Sequence, residues 1–345
     1  MKFGLFSLVA LVMLAGLVAV PAGQPMPVIY STDLMHPHDD PDDHFDLACL
    51  YSMPEADVRA IILDQGQPQS QRPGYVPVWQ LNHLSKRHIP AAIGLPEKLR
   101  APHDPALNQP AAHQNGVNLI LQALENSREK VAILFVGSAR DIAAAFNREP
   151  ALFHKKVRSI TGFIGEASDP KNLEYNVQLD PQAYICLLRS GLPFNWVPCF
   201  DGGLWKNNGH ASFWKIRQRQ VLEGTPEPLQ RYFSYMLQNS TNDPIQSLAL
   251  PLDPTDRAAM MDGERNLWAS AVLGIPLGRP MKLEGRTVAH FAPVELWVDD
   301  QAVIHYGKGP GSRRIMRFEI TDPVKFPQVA TKLTADLLRA FPLRQ

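Results

Sequence analysis

The fold is read from Val28-Ile29-Tyr30-Ser31-Thr32-Asp33, which a short loop joins to Asp39-Asp40-Pro41-Asp42-Asp43-His44 and then to an apolar run from Phe45. The first part is apolar and β-branched, which suits a buried strand. Residues 45–53 carry apolar side chains at helical spacing. A strand that ends in carboxylates and runs into a helix is one βα unit, and the pattern repeats. Residues 58–63, 131–136, 157–163 and 194–198 read as further strands, while 76–84, 117–125, 141–146 and 181–188 read as helices. This alternation predicts an α/β fold with an open, mainly parallel mixed sheet flanked by helices. Such sheets bind ligands beyond the carboxyl ends of their strands, so the residues after Thr32, Leu63 and Val136 are expected to converge.

Asp33, Asp39, Asp40, Asp42 and Asp43 place five carboxylates within a short span. Their mutual repulsion at a strand end and a helix start is costly unless a cation neutralises them, and hard oxygen ligands suit Ca²⁺ or Mg²⁺. The alternative is a solvated acidic loop whose aspartates cap the helix. The loop between the two clusters adds His36-Pro37-His38, which reads either as surface polarity or as a recruiter of a transition metal such as Zn²⁺.

The 345 residues carry 34 basic and 34 acidic side chains, so no global field gathers nucleic acid or an anionic membrane, and nucleic acid is not expected as a partner. Lys2, the apolar stretch 3–20 and Val20-Pro21-Ala22 read as a signal peptide over residues 1–22, leaving one domain over 23–345. The chain is therefore expected to be exported to the periplasm or the extracellular space, without stable membrane association once the leader is cleaved. A single membrane anchor is the alternative. Cys49, Cys186 and Cys199 have neither a CxxC pair nor zinc-ligand spacing and read as core thiols. Residues 202–254 suggest short helices capping the sheet, 286–305 antiparallel strands with a turn at Asp299-Asp300, and 329–341 a closing helix.

Three elements, in order along the chain, resemble the inosine/uridine-preferring nucleoside hydrolases. Ser31-Thr32-Asp33 with Asp39-Asp40-Pro41-Asp42-Asp43 is similar to that family's DTD element and helix start. Val136-Gly137-Ser138-Ala139-Arg140-Asp141 is similar to its GPLTN turn. Glu174-Tyr175-Asn176, Asp180-Pro181-Gln182-Ala183 and Ser190-Gly191 are similar to its EFN segment and the helix that follows. The resemblance runs from about 28 to 198 and implies a nucleoside hydrolase-like sheet with a Rossmann-like core. It also implies a Ca²⁺ held by Asp33, Asp43 and the backbone carbonyl of Arg140, with Asp33 as catalytic base. Asp42, Glu174 and Asn176 would bind ribose hydroxyls, joined by Gln67 and by Asn172. A small-molecule nucleoside is the implied substrate and a homo-oligomer the implied assembly.

The family's late His-Asp pair has no counterpart here. One alignment places Asn266 as the late metal ligand, with Arg265 beside the departing base; another places Asp262 there. His113 is a further residue that could reach the base. Trp205, Trp214, Trp268 and Tyr232 could stack on it or lie in the core. Two functions stay open: calcium-dependent hydrolysis of the N-glycosidic bond of a ribonucleoside or related N-riboside, and a non-catalytic exported binding protein on the same fold. Hydrolysis of another sugar conjugate is a variant of the first. Base preference and the leaving-group acid are not legible in the sequence.

Overall fold

Alternating apolar runs and amphipathic stretches close into one large sheet with helices on both faces. The computed structural model describes residues 24–169, 171 and 173–344. The leader expected at 1–22 and the site candidate Asn172 lie outside the described residues. Twelve strands are present among the described residues: β1 (Met26–Thr32), β2 (Ala56–Leu63), β3 (Ala91–Ile93), β4 (Val131–Phe135), β5 (Val157–Phe163), β6 (Phe194–Val197), β7 (Trp214–Arg217), β8 (Glu264–Leu267), β9 (Met281–Leu283), β10 (Arg286–Val298), β11 (Ile304–Tyr306) and β12 (Arg313–Ile320).

The main sheet runs β11-β10-β12-β6-β5-β4-β1-β2-β3, with β9 paired to β10. Strands β1 to β6 are mutually parallel, and β12 continues parallel to β6. β10 pairs antiparallel with β12, so the carboxyl-terminal strands extend one edge of the same sheet. β7 and β8 form a separate antiparallel pair.

Every residue of β4 is buried, as a central parallel strand covered on both faces requires. One apolar layer packs Phe45, Leu50, Tyr232 and Leu338 on one face of the sheet, and the other packs Ile29, Ile133, Phe153 and Trp196 on the opposite face. Each such burial contributes about 1.5–3 kcal/mol. Trp214 and Tyr232 belong to this core and are unavailable for stacking on a ligand. The three cysteines are free and buried. No helix among the described residues is long and apolar enough to cross a membrane.

The strand order reverses between β1 and β4. After β1 the chain moves outward through β2 and β3; after β4 it moves the other way through β5 and β6. A crevice must open between the carboxyl ends of those two central strands, because their connections leave in opposite directions. Asp33 follows β1 there, and Val136-Gly137-Ser138 follows β4.

Candidate functional site

A cavity of about 380 Å³ opens at that switch point. Its acidic wall holds Asp33, Asp42, Asp43 and Asp46, with Asp39 and Asp40 at the rim; Glu174, Asn176 and Cys199 stand on another side. Leu204, Trp205, Phe200 and Trp268 give it an aromatic and apolar wall.

The acidic wall is built by two backbone segments meeting end-on. Helix α1 (Asp42–Ser52) begins with Asp42 and Asp43 in its first turn, where unpaired N–H groups favour negative charge. The Thr32 hydroxyl, at the end of β1, donates to Oδ2 of Asp43 and so orients that carboxylate. Behind Asp33, Asp64 at the end of β2 accepts from the Ser138 hydroxyl at 2.7 Å and from the Ser138 N–H at 2.6 Å. This draws the β4 turn so close that a Cβ on Gly137 would stand 2.8 Å from Asp64 Oδ2 and 3.0 Å from Asp33 Cβ. Only glycine allows that approach.

These carboxylates are poorly compensated. Burial, with Asp64 and Asp42 nearby, pushes Asp33 up to about 8. Burial and Asp40 push Asp42 up to about 7. Asp43 and Asp46 are raised well above the ordinary carboxylate range, first by burial and then by their acidic neighbours. Burial and mutual repulsion thus disfavour full ionisation of the cluster unless a cation neutralises it. Asp42, Asp43 and Asp46 each present an oxygen within 4.8 Å of the others. Such an all-oxygen, anionic donor set fits a hard divalent cation.

The histidines gather more loosely: the rings of His38 and His36 stand 5.6 Å and 6.2 Å from that of His44, without reaching metal-ligand spacing. His36 Nε2 lies 2.8 Å from the Ser240 carbonyl and its ring stacks on Tyr235 at 5.1 Å, so the loop packs against helix Glu227–Leu237. Among the described residues, the aspartate trio is the one cluster with metal-ligand spacing. The zinc alternative therefore rests on this looser histidine group alone.

Across the cavity, Glu174 is a buried N-cap. Its Oε1 accepts from the Asn176 N–H at 2.9 Å and its Oε2 from the Gly165 N–H at 2.8 Å, while burial raises its pKa. Asn176 Nδ2 donates to the Phe163 carbonyl at 3.1 Å. The pair expected to face a sugar is thus fixed by the end of β5.

Four expected positions are placed elsewhere. Gln67 is exposed at the start of helix Gln67–Gln71 and does not line the cavity; Gln69, one helical step inward, does, and its Nε2 is 3.4 Å from Asp33 Oδ2. Arg140 heads helix Arg140–Arg148 and is absent from the cavity wall. Its guanidinium is buried instead among Asp180, Gln65, Leu95 and Leu179. Asn266 lies within β8, paired with Lys215 of β7, rather than at a helix start. Asp262 is exposed and bonds Arg219 at 2.8 Å. Where a late ligand was expected, the wall presents Trp268 and Ala269.

Arg265 also stays outside the cavity wall. It packs over the Phe45 ring, donates to Gln218 and lies 3.8 Å from Asp40. His113 ends a short turn away from the cavity. Sequence reasoning missed Asp46, Asp64, Gln69 and Cys199. Two of these had a signal: Asp64 in its place at the end of a buried strand, and Asp46 in its helical spacing from Asp42 and Asp43.

Trp205 and Trp268 lie 5.7 Å apart, with Phe200 5.4 Å from Trp205 and 6.3 Å from Trp268. Trp268 Nε1 donates to the Cys199 carbonyl at 3.2 Å. Trp205 adopts a φ of 62°, in the left-handed region that side chains seldom occupy, and is 54% exposed. Backbone strain of this kind persists where surrounding structure enforces it.

Comparison with known proteins agrees with this architecture. The family model described as inosine-uridine preferring nucleoside hydrolase matches residues 28–296. The pyrimidine-specific ribonucleoside hydrolase RihA of Escherichia coli O127:H6 is 27% identical over 186 residues, covering 49% of this chain and 58% of that protein. The chain thus spans little more than half the length of the curated relatives it matches. Among solved structures, a purine-preferring ribonucleoside hydrolase from Gardnerella vaginalis has a TM-score of 0.54 at 14% identity, covering 91% of this chain and 99% of that one. A plant nucleoside hydrolase, PpNRh1, has a TM-score of 0.55 at 16% identity, covering 92% and 99%. The inosine-uridine preferring nucleoside hydrolase of Bacillus anthracis has a TM-score of 0.51 at 11% identity, covering 90% and 99%. At such identities the structural likeness speaks for the fold, while the family match over most of the chain identifies it as a member of the inosine-uridine preferring nucleoside hydrolase family.

Proposed function

We propose that this protein hydrolyses the N-glycosidic bond of a ribonucleoside or a related N-riboside, releasing free base and ribose, with Ca²⁺ bound in the acidic wall. The observation that carries this reading is the single cavity in which Asp33 and its acidic neighbours share the space with Glu174 and Asn176. A sugar held there meets carboxylates on two sides.

When bound, the cation would polarise a water and lower its pKa. Asp33 takes the water's proton as general base, a role that needs its ionised form and hence relief from the repulsion of Asp64 and Asp42. Asp42 and Glu174 accept hydrogen bonds from ribose hydroxyls and place negative charge beside a ring that becomes cationic as the glycosidic bond breaks. Glu174, gripped by two backbone N–H groups, is held for this without reorganisation. Phe200, Trp205 and Trp268 offer flat surfaces to the departing base.

A second reading is a binding protein on the same fold. It is favoured by the cavity wall itself, where no histidine stands among the described residues to protonate a leaving base. The apolar stretch 3–20 supports action outside the cytoplasm, on external nucleosides. The deciding assay measures free base and reducing sugar from a panel of purine and pyrimidine ribonucleosides, with and without calcium, for the wild type and Asp33→Asn. Calcium-dependent release that Asp33→Asn abolishes supports hydrolysis. Nucleoside binding without release supports the second reading.

A further inference from the structure

Asp46 stands one turn inside α1, at the helical spacing from Asp42 and Asp43 that puts all three on one face. Helix starts favour acidic residues, but that advantage fades beyond the first turn, and like charges at this spacing destabilise a helix. Asp46 is nonetheless 1% exposed. Its Oδ1 accepts a hydrogen bond from the Ser270 hydroxyl, just beyond β8. Its Oδ2 is buried without a hydrogen-bond partner, although the residue lines the cavity. A buried carboxylate oxygen left bare costs more than almost any other polar defect unless something binds it.

We propose that Asp46 is a ligand for a hard divalent cation, completing with Asp42 and Asp43 a carboxylate trio that replaces the late ligand expected at Asn266 or Asp262. This rests on the metal-assisted reading of the same cavity and changes which residues hold the ion. Two oxygens bound to one Ca²⁺ at about 2.3–2.6 Å cannot lie more than about 5 Å apart. The trio's oxygens, within 4.8 Å of one another, meet that limit. Asn266, in the middle of β8, and Asp262, tied to Arg219 at the surface, are not part of the cavity wall. The late segment still contributes, through Ser270: its hydroxyl holds one oxygen of Asp46 and leaves the other without a hydrogen-bond partner. Thr32 does the same for Asp43. Partners that orient ligands in this way change affinity by about tenfold or more when removed.

The test is calorimetric titration of CaCl₂, and separately MgCl₂, into the chelator-treated full chain, with thermal unfolding in the presence and absence of the ion. Asp46→Asn keeps the shape of the neutral acid; it is expected to weaken cation affinity at least tenfold and to lose most of the ion-induced rise in Tm. Asp46→Glu should restore part of that affinity, Ser270→Ala should weaken it about tenfold, and Asp262→Asn and Asn266→Ala should leave it unchanged. Asp46→Asn binding as tightly as wild type, or Asn266→Ala carrying the loss instead, overturns the proposal. A wild type that releases base from ribonucleosides yet binds neither ion overturns it while hydrolysis stands. Binding through Asp46 with no release of base supports the ligand assignment and removes the hydrolase reading.

Discussion

Arg140 Nε lies 3.0 Å from Asp180 Oδ2, with both side chains almost fully buried. Three of the four remaining guanidinium hydrogens go to the carbonyls of Gln65, Leu95 and Leu179, so one side chain ties the loops after β2 and β3 to the start of helix Pro181–Arg189. Asp180 answers by accepting from the N–H groups of Leu99 and Ala183. A buried ion pair stabilises little compared with an apolar replacement of both partners, but breaking one side strands a charge.

Arg140→Ala should therefore destabilise the fold by about 3–5 kcal/mol, measured by urea unfolding. Arg140→Lys should recover little, because an ammonium cannot reproduce the planar fork that reaches four acceptors. Full stability in Arg140→Lys would show that charge, not geometry, matters there.

Gly137 is the position where one added carbon should do most damage to the site. Gly137→Ala meets Asp64 Oδ2 at 2.8 Å, closer than real Cβ contacts come, and Asp33 at a tight 3.0 Å, so one of the two must shift. The expected cost is about 1–3 kcal/mol of stability together with a fall in kcat, because Asp33 is displaced. Unchanged kcat in a folded Gly137→Ala would mean that Asp33's position is not critical.

Asp141 gives the chain a pH-dependent stability. Burial and the nearby Asp64 push its pKa up to about 7, and its Oδ2 has no hydrogen-bond partner. A carboxyl raised in the folded state binds its proton more tightly there than in the unfolded chain. Stability from this group is thus full below about pH 4 and is lost as pH rises toward 7, by at most about 1.4 kcal/mol per pH unit. Asp141→Asn should unfold with a shallower decline in Tm over that window, measured in excess CaCl₂. A wild type and variant with parallel Tm profiles would contradict the assignment.

Glu174 and Trp268 should separate sugar binding from base binding. Glu174→Gln removes the charge and turns one of two accepting oxygens into a donor facing a backbone N–H, so it should lower kcat more than it raises KM, by about 10²-fold or more. Trp268→Ala removes a flat surface worth about 0.5–1.5 kcal/mol beyond its buried area, and should act chiefly on KM for the larger bases. The opposite split in steady-state kinetics would reverse the two roles.

The sequence by itself determined the β1–α1 unit, the parallel strands around it and the two clusters Asp33–Asp43 and Glu174–Asn176, because strand period, helix period and charge density are local properties of the chain. It also carried the family resemblance on which the ribose and metal assignments rest. Only the tertiary structure decided that Gln69 rather than Gln67 faces the cavity, that Arg140 is spent on a buried clamp, and that Asn266 belongs to a strand pair. It alone brought Ser270 to Asp46, 224 residues apart, and Trp205 to Trp268. Those relations depend on which side of an element turns inward and on loops that meet across the switch point. Both are set by packing between distant segments, which no local pattern of residues records.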